Sequence, residues 1–428
     1  MNSKINIPFS PPDVGSAEIA QVVDTLQSGW LTTGPRTKKL ESKLAAFIGS
    51  PRVACTSSAT CALECALRLL KIGPGDEVIT SAYTYTASAS PVCHVGATLV
   101  LCDCAEGSYE MDYKQLQTLI TPKTKAIIPV DIAGVMCNYD AIFNAIEQAG
   151  AVWHASSELQ DAIGRIAVVA DGAHSLGATR HGVHAGQAAD FTTFSFHAVK
   201  NLTTAEGGAL TWREGVFDDE ALYKQCMLMQ LHGQTKDALS KTRAGAWEYD
   251  VAFPGYKCNM TDIQAAIGLA QLERFPALLA KRRMLIARYE QNLAGEDVCI
   301  LKHYTNSTAD SEQAALPFDV QQRNNSSTFN SSGHLMLVRM LGKTTSFRNR
   351  VIELMSQAGV ASNVHYKPLP LLTAYKNLGF NIQNFPNAYA QFENEITLPL
   401  HTQLSLSDVD TICEAFCNAC KQAASEGL

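Results

Sequence analysis

The sequence has no apolar run long enough to cross a bilayer as a helix. Its first twelve residues are polar and contain prolines, and they lack the basic start and apolar stretch of a secretion signal. These absences predict a cytoplasmic protein that has no membrane partner.

A basic excess is also lacking. The 428 residues include 34 Lys and Arg against 41 Asp and Glu, which gives a formal net charge of -7. Proteins that bind nucleic acids usually carry an excess or a run of basic residues. The charge balance therefore predicts no nucleic-acid partner.

A second cysteine pair at metal-ligand spacing is missing too. The chain contains 13 cysteines, and Cys417 and Cys420 form a lone CxxC, whereas a zinc site needs two further ligands. Cys413 lies four residues before Cys417 in a helical pattern, which indicates one apolar helix face. We therefore predict no metal site and reduced thiols in the cytoplasm.

What the sequence does have is a regular alternation of strand and helix patterns from about residue 50 onward. Apolar strand segments at 52–55, 77–80, 97–101, 125–130 and 166–170 are separated by helical patterns at 59–71, 84–93, 112–120 and 139–149. Strands that are apolar throughout predict an α/β fold with a mainly parallel sheet between helices. Ligands bind such sheets at the carboxyl ends of the strands.

The pattern changes after about residue 261, where a long helix is predicted up to residue 293. Whether Pro276 interrupts this helix stays open. We predict an N-terminal arm (1–14), a large domain (15–268) that starts with an amphipathic helix over 16–28, and a smaller C-terminal α+β domain (269–428). A polar insertion at about 302–332 belongs to the smaller domain.

Three polar segments follow predicted strands. Residues 55–60 (CTSSAT) open a helix and offer free N–H groups to an anion, or they are a plain helix cap. Asp171 in 170–174 (ADGAH) is either a structural carboxylate or a partner for a protonated ring nitrogen. Lys200 follows the alternating strand at 191–194 and is a nucleophile if burial lowers its pKa, or otherwise a solvated loop lysine.

Together these segments match the needs of pyridoxal 5'-phosphate (PLP). The cofactor requires a phosphate seat, a carboxylate at the pyridine nitrogen and a lysine that holds its aldehyde as a Schiff base. Tyr85, at the start of the helix after the seat, is placed to stack on the ring.

The sequence resembles the DegT/StrS family of sugar-nucleotide aminotransferases, which have the PLP-dependent transferase fold of type I. The segments that carry the resemblance are 29–35 (GWLTTGP), 57–60 (SSAT), 73–80 (GPGDEVIT), 124–130 (TKAIIPV), 171–174 (DGAH), 194–201 (FSFHAVKN), 205–208 (AEGG), 254–257 (PGYK) and 259–262 (NMTD). The phrase around Lys200 is closest to members that aminate 4-keto sugars on UDP.

The resemblance implies a role for each matching residue. Lys200 forms the Schiff base and shuttles the proton, and Asp171 pairs with the pyridine nitrogen. The remaining cofactor contacts are assigned to Ser58, Ala59, Thr60 and Ser195 at the phosphate, Tyr85 and His174 at the ring, and Asn259 at the cofactor of the other subunit of a homodimer. The substrate contacts are assigned to His197 and His365.

The resemblance also implies the reaction, which is transfer of an amino group from L-glutamate to a keto sugar nucleotide, such as a UDP- or dTDP-4-keto-6-deoxy sugar. Two alternatives stay open, a PLP-dependent sugar dehydratase or lyase of the same fold, and a regulatory relative without turnover. The segments 151–165 and 302–332 depart from the family pattern and are expected to shape the substrate entrance.

Overall fold

The computed structural model describes residues 5–236, 247–305 and 328–427, and a seven-stranded sheet lies at its centre. The strands are β1 (Val53–Thr56), β2 (Glu77–Ser81), β3 (Thr98–Cys102), β4 (Thr124–Ile128), β5 (Ala167–Asp171), β8 (Phe191–Ser195) and β9 (Gly208–Trp212). Their order is β1-β9-β8-β5-β4-β2-β3. β9 runs antiparallel to β1 and β8, and the other neighbouring pairs are parallel, which confirms the predicted α/β class.

Helices cover both faces of this sheet because its strands are apolar on both sides. Val169 of β5 belongs to a buried cluster with Leu63, whereas the adjacent Val168 packs with Leu40 and Phe275 on the other face. The helices around the sheet are α1 (Ser16–Gln27), α2 (Pro35–Ile48), α3 (Ala59–Leu69), α4 (Ser90–His94), α5 (Tyr113–Leu119), α6 (Tyr139–Gln148), α7 (Glu158–Ile163), α8 (Asp219–Gln230) and α9 (Asp262–Asn292). Within the described ranges, no helix is both long and apolar enough to cross a membrane.

The first helix is confirmed, but its apolar side faces outward. Ile19, Val23 and Leu26 are 61%, 45% and 53% exposed in the protomer. The buried Glu18 instead accepts a hydrogen bond from Nε of Arg274 at 2.9 Å, which ties α1 to α9 through an ion pair. The apolar stripe of α1 is therefore left open on the surface of one chain.

The long helix α9 continues through Pro276 without a break. Thr261 and Gln264 form a capping box at its N-terminus. A proline inside a helix costs about 3 kcal/mol. Its neighbours Phe275 and Leu278 are buried, and each such side chain contributes about 1.5–3 kcal/mol, which offsets that cost.

A second, antiparallel sheet lies in the C-terminal part of the chain, in the order β10 (Cys299–Ile300), β12 (Met336–Arg339), β13 (Glu395–Leu398). The helices of this part are α10 (Thr345–Gln357), α11 (Thr373–Asn377), α12 (Pro386–Glu393) and α13 (Leu406–Ser425). A small third sheet pairs β11 (Phe329–Asn330) with β6 (Thr179–Arg180), which pairs with β7 (Val183–His184). The predicted domain boundaries stay a prediction, and residues 306–327 of the predicted insertion lie outside the described residues.

Two local predictions differ from the structure. β9 was not predicted, because it begins at Gly208, the second residue of a glycine pair that indicates a turn. The helix predicted over 84–93 is a single 3₁₀ turn followed by α4, since Pro91 starts a new helix there. Within 151–165, Gln160 of α7 donates from Nε2 to the carbonyl oxygen of Leu70 at 2.7 Å. Leu70 is the C-cap of α3, at the end of this helix opposite the phosphate seat, and the role of 151–165 at the substrate entrance stays a prediction.

Candidate active site

The predicted phosphate seat lies where β1 turns into α3. Ser58 caps this helix, because its Oγ accepts a hydrogen bond from the N–H of Cys61 at 3.2 Å. The backbone N–H groups of Ala59 and Thr60 have no hydrogen-bond acceptor among the described residues. Free N–H groups at a helix N-terminus attract anions. Ser58 therefore acts as a cap, and the next two residues offer free donors to an anion.

Gly208 of β9 lies between this seat and Ser195. It pairs with Thr56 of β1 on one side and with Ser195 of β8 on the other. Neighbouring strands lie about 4.8 Å apart, so Ser195 ends its strand about 10 Å from Thr56. A Cβ atom at Gly208 would lie 2.3 Å from the backbone nitrogen of Ala59. The missing side chain thus lets β9 pass directly beside the seat.

Asp171 is the last residue of β5 and is buried. Ser88 donates from Oγ to its Oδ2 at 2.6 Å, and the N–H of Ala173 donates to Oδ1 at 3.1 Å. Burial nevertheless raises the pKa of the Asp171 carboxyl, because desolvation outweighs these hydrogen bonds. The carboxylate is therefore stabilised by any cationic group that binds next to it.

Lys200 lies in the turn after β8, where its N–H donates to the carbonyl oxygen of His197 at 2.9 Å. Burial lowers the pKa of the Lys200 amine to about 8, and the attraction of Asp171 opposes this shift. The two groups thus lie close enough to interact at the carboxyl edge of the sheet. An amine with this pKa is partly neutral near pH 8, so it can act as a nucleophile and a base.

The lowered pKa of Lys200 predicts a stability cost that depends on pH. Between about pH 8 and the ordinary pKa of 10.5, the unfolded chain keeps a proton that the folded chain has lost, so stability rises with pH there. Because solvent still reaches part of the side chain, we expect Lys200→Met to stabilise the cofactor-free protein by roughly 1–2 kcal/mol at neutral pH. Urea unfolding of both proteins checks this. The stability difference between Lys200→Met and wild type should shrink as the pH rises above 8. A Lys200→Met protein that is less stable than wild type at pH 7 would contradict the prediction.

His174 is buried beside this pair, and its neighbours fix its ring. Its Nδ1 accepts a hydrogen bond from the N–H of Ala133 at 3.2 Å, so the ring hydrogen is assigned to Nε2, 3.1 Å from Oη of Tyr366. Burial lowers the pKa of His174 well below its ordinary range, and the ring stays neutral. The Tyr366 ring lies 5.8 Å from that of Tyr85, which is itself largely exposed.

Asn259 and His197 lie at the margins of the site. Asn259 pairs with Thr56 at the end of β1, and its Nδ2 donates to Oγ1 of Thr33 at 2.5 Å. The half-exposed His197 has its Nε2 3.6 Å from Oε1 of Glu206 at the surface. The contacts with a second subunit and with substrate that the sequence predicts for them stay predictions.

His365 reaches the site from the C-terminal part of the chain. Its ring stacks on Phe9 of the N-terminal arm with the centroids 5.6 Å apart. Burial, with a smaller effect of the Lys200 ammonium, lowers the pKa of His365 to about 4. The structure therefore brings His365 near Lys200 and His174, whereas His197 contacts Glu206 at the surface.

Three further residues of the site were missed from the sequence, namely Ser88, Tyr366 and His334. Tyr366 directly follows His365, and this adjacency was a usable signal. The His334 ring lies 4.3 Å from that of His174, and its Nδ1 is 2.9 Å from Oδ1 of Asn201. His334 follows the predicted insertion, and nothing local in its sequence indicates that contact.

Comparison with known proteins identifies the family of this chain. The model of the DegT/DnrJ/EryC1/StrS aminotransferase family matches residues 12–417. The chain belongs to this family. It is 34% identical to the spore coat polysaccharide biosynthesis protein SpsC of Bacillus subtilis over 414 residues, 96% of each chain.

Solved structures give the same answer. Spr1654 of Streptococcus pneumoniae, provisionally named a sugar aminotransferase, was solved in a PMP-form that is 52% identical, with a TM-score of 0.89 over 98% of this chain and 100% of that one. Its PLP-form is 50% identical, with a TM-score of 0.88, over 98% of this chain and 99% of that one. PseC of Helicobacter pylori, an aminotransferase of pseudoaminic acid biosynthesis, is 26% identical with a TM-score of 0.79 over 97% of this chain and 100% of that one. The chain is a PLP-dependent aminotransferase with the corresponding fold.

The residues present fit this cofactor. The free N–H groups of Ala59 and Thr60 suit a phosphate, and the buried carboxylate of Asp171 suits a protonated ring nitrogen. Lys200 supplies an amine with a lowered pKa that interacts electrostatically with Asp171. The donor set therefore matches the phosphate, the ring nitrogen and the aldehyde of PLP.

Gly208 offers a test of the phosphate seat. We expect Gly208→Ala to weaken PLP binding about tenfold or more, since the new Cβ displaces the backbone that presents the free N–H groups. A spectroscopic titration with PLP measures the affinity, and circular dichroism checks the fold. Gly73→Ala is the matched control, because its Cβ would lie 3.6 Å from the nearest atom. Equal affinity of Gly208→Ala and wild type would contradict the assignment.

Proposed function

We propose that this aminotransferase moves the amino group of L-glutamate to the ketone of a UDP- or dTDP-linked keto sugar. The observation that carries the proposal is a buried Asp171 carboxyl group that interacts electrostatically with a Lys200 amine whose pKa is lowered to about 8, at the carboxyl edge of the sheet. The names of SpsC and PseC, which refer to polysaccharide and pseudoaminic acid biosynthesis, support a sugar substrate.

The proposed mechanism assigns separate tasks to the chain's own residues. PLP supplies, when bound, an aldehyde that accepts amino groups and a ring that withdraws electrons. Asp171 holds a proton on the ring nitrogen, and Ser195 with Ala59 and Thr60 binds the phosphate. Nζ of Lys200 holds the cofactor and moves a proton to and from the substrate carbon.

The remaining assignments complete the pocket. Tyr85 stacks on the cofactor ring, and Ser58 keeps the seat in shape by capping α3. The neutral His174, whose Nε2 lies 3.1 Å from Oη of Tyr366, forms a hydrogen bond near the ring hydroxyl. His197 and His365 contact the sugar nucleotide.

We also propose that the protein is a homodimer whose subunits complete each other's sites, with Asn259 reaching the cofactor of the second subunit. Large exposed apolar side chains support this, because a monomer rarely leaves so many uncovered. Trp247 is 78% exposed, Tyr85 59% and Tyr249 47%, in addition to the open stripe on α1. Sedimentation of the purified protein tests the dimer.

A cytoplasmic location completes the proposal. The cysteines in the described part of the chain are free thiols, which suits a reducing compartment. Cell fractionation with an antibody against the chain tests this assignment.

The function itself is tested with a panel of keto sugar nucleotides, with L-glutamate as the donor and mass spectrometry of the products. We expect an amino sugar nucleotide and one equivalent of 2-oxoglutarate per product. A product that has lost water without gaining nitrogen would indicate a dehydratase. Binding of the sugar nucleotide without any turnover would indicate a regulatory relative, and either result would overturn the proposal.

A further inference from the structure

A buried carboxyl group outside the cofactor pocket is linked to the active site by hydrogen bonds. Glu395 and Thr397 lie two residues apart on β13, so their side chains leave the same face of the strand. Both residues are fully buried. Oγ1 of Thr397 is 2.5 Å from Oε1 of Glu395 and 3.0 Å from Nδ1 of His365. Hydrogen bonds thus connect the three side chains in a continuous series that ends at His365.

Further contacts hold the backbone and the ring of His365 in place. The backbone N–H of His365 donates to Oε2 of Glu395 at 3.0 Å, and Oη of Tyr83 donates to the carbonyl oxygen of His365 at 2.7 Å. The His365 ring is held against Phe9. Its Nε2 has no hydrogen-bond partner among the residues that the structure describes, so this nitrogen is available to a ligand.

Two complete sets of hydrogen bonds are compatible with these distances, because a hydroxyl group has a single hydrogen to donate. When Glu395 is ionised, Thr397 donates to Glu395 and accepts from Nδ1–H of His365, which leaves a lone pair on Nε2. When Glu395 is protonated, it donates to Thr397, which donates to Nδ1, and the ring hydrogen lies on Nε2. The two states differ by one proton, which enters or leaves at Nε2.

Both hydrogen-bonding states are populated at pH values near 8. Burial raises the pKa of Glu395 to about 8, and its hydrogen bonds with Thr397 and the backbone of His365 oppose the shift. The pKa of His365 is lowered to about 4, so the ring changes its tautomer rather than gaining a charge. Glu395 is therefore mainly protonated at pH 7 and mainly ionised well above pH 8.

We propose that Glu395, Thr397 and His365 form a proton relay that opens into the active site at Nε2 of His365. The inference rests on the amino transfer proposed above, in which the oxygen of the ketone leaves as water and has to be protonated. A proton passes from Nε2 to that oxygen, Nδ1 takes the hydrogen of Thr397, and Thr397 takes the proton of Glu395. One N–H and two O–H bonds break while one N–H and two O–H bonds form, and no electrons are transferred.

Other ionisable groups face the relay from the surrounding elements, and they set its pH range. Arg348 of α10 attracts the carboxylate of Glu395, and the ammonium of Lys200 disfavours a charged His365. The other titratable groups that interact with the two ends of the relay are Tyr83, Tyr109, Tyr366, His174 and His334. The variants below leave all of these side chains in place.

The test reads the ring hydrogen of His365 directly, by NMR of the cofactor-loaded protein labelled with ring-¹⁵N histidine. His365→Gln identifies the signal by its loss. In wild type we expect the hydrogen to move from Nε2 to Nδ1 as the pH rises through about 8. Glu395→Gln presents a permanently neutral group, so the hydrogen should stay on Nε2 at every pH. Thr397→Val should abolish the coupled change, and the matched Thr397→Ser should keep it.

Amino-transfer kinetics give a second measurement. Thr397→Val should lower kcat roughly tenfold or more with KM little changed, and Thr397→Ser should restore most of the rate. A His365 tautomer that ignores pH in wild type, or that titrates normally in Thr397→Val, would overturn the relay. If wild type fails to transfer amino groups, the proposed function fails instead, and the NMR result still decides whether the three residues are coupled.

Discussion

Replacement of Lys200 by alanine is expected to slow amino transfer by at least about a thousandfold, within the range that a positioned acid–base group supplies. The change removes a partly buried amine whose pKa of about 8 suits it to carry a proton in both directions. Coupled detection of 2-oxoglutarate from L-glutamate measures the rate. The variant protein should also lose the visible absorption band that the bound cofactor gives the wild type.

The matched control is Lys376→Ala, which removes an exposed lysine on α11. It should leave the rate and the absorption band unchanged. A Lys200→Ala protein that transfers amino groups at the wild-type rate would show that another group carries the proton, and the assignment of Lys200 would be wrong.

Replacement of Asp171 by asparagine is expected to slow the reaction by roughly 10²–10³-fold, because it removes the charge that holds a proton on the ring nitrogen. Asparagine keeps the size of the side chain; its single amide oxygen can accept from the N–H of Ala173, and its NH2 group can donate to Oγ of Ser88. The loss therefore reports on charge more than on packing. Single-turnover rates with L-glutamate measure it, together with the affinity for PLP.

Two variants define the controls for Asp171. Ser88→Ala removes one hydrogen bond to the carboxylate and should produce a much smaller loss, of about tenfold or less. Asp140→Asn changes a carboxylate whose side chain is 74% exposed at the surface, and it should have no effect. An Asp171→Asn enzyme as fast as wild type would contradict the pairing with the ring nitrogen.

The local parts of the fold and site could be predicted from the sequence. Strands such as β5 are apolar on both faces because helices cover both sides of the sheet, so composition alone revealed them. Asp171 and Lys200 follow strand ends, and in a mainly parallel sheet these ends meet at one edge. Their proximity therefore followed from local patterns and the fold class.

Contacts between distant parts of the chain could not be predicted in the same way. His334 and Tyr366 contact His174 although they lie far from it in the sequence, and no local pattern encodes such packing. The amphipathic pattern of α1 was visible in the sequence, but it does not tell which face packs on the protomer; the ion pair between Glu18 and Arg274 fixes the polar face inward. The two-residue spacing of Glu395 and Thr397 is visible in the sequence, but only the folded chain brings Thr397 within hydrogen-bond distance of His365.

The most direct test of the account is to reduce the PLP-loaded protein with borohydride and to locate the cofactor by peptide mass spectrometry. Reduction fixes the cofactor on the amine that holds it. The account predicts a phosphopyridoxyl group on the peptide that contains Lys200, and none in the Lys200→Ala protein. An unmodified Lys200 peptide beside a modified peptide elsewhere in the chain would contradict it.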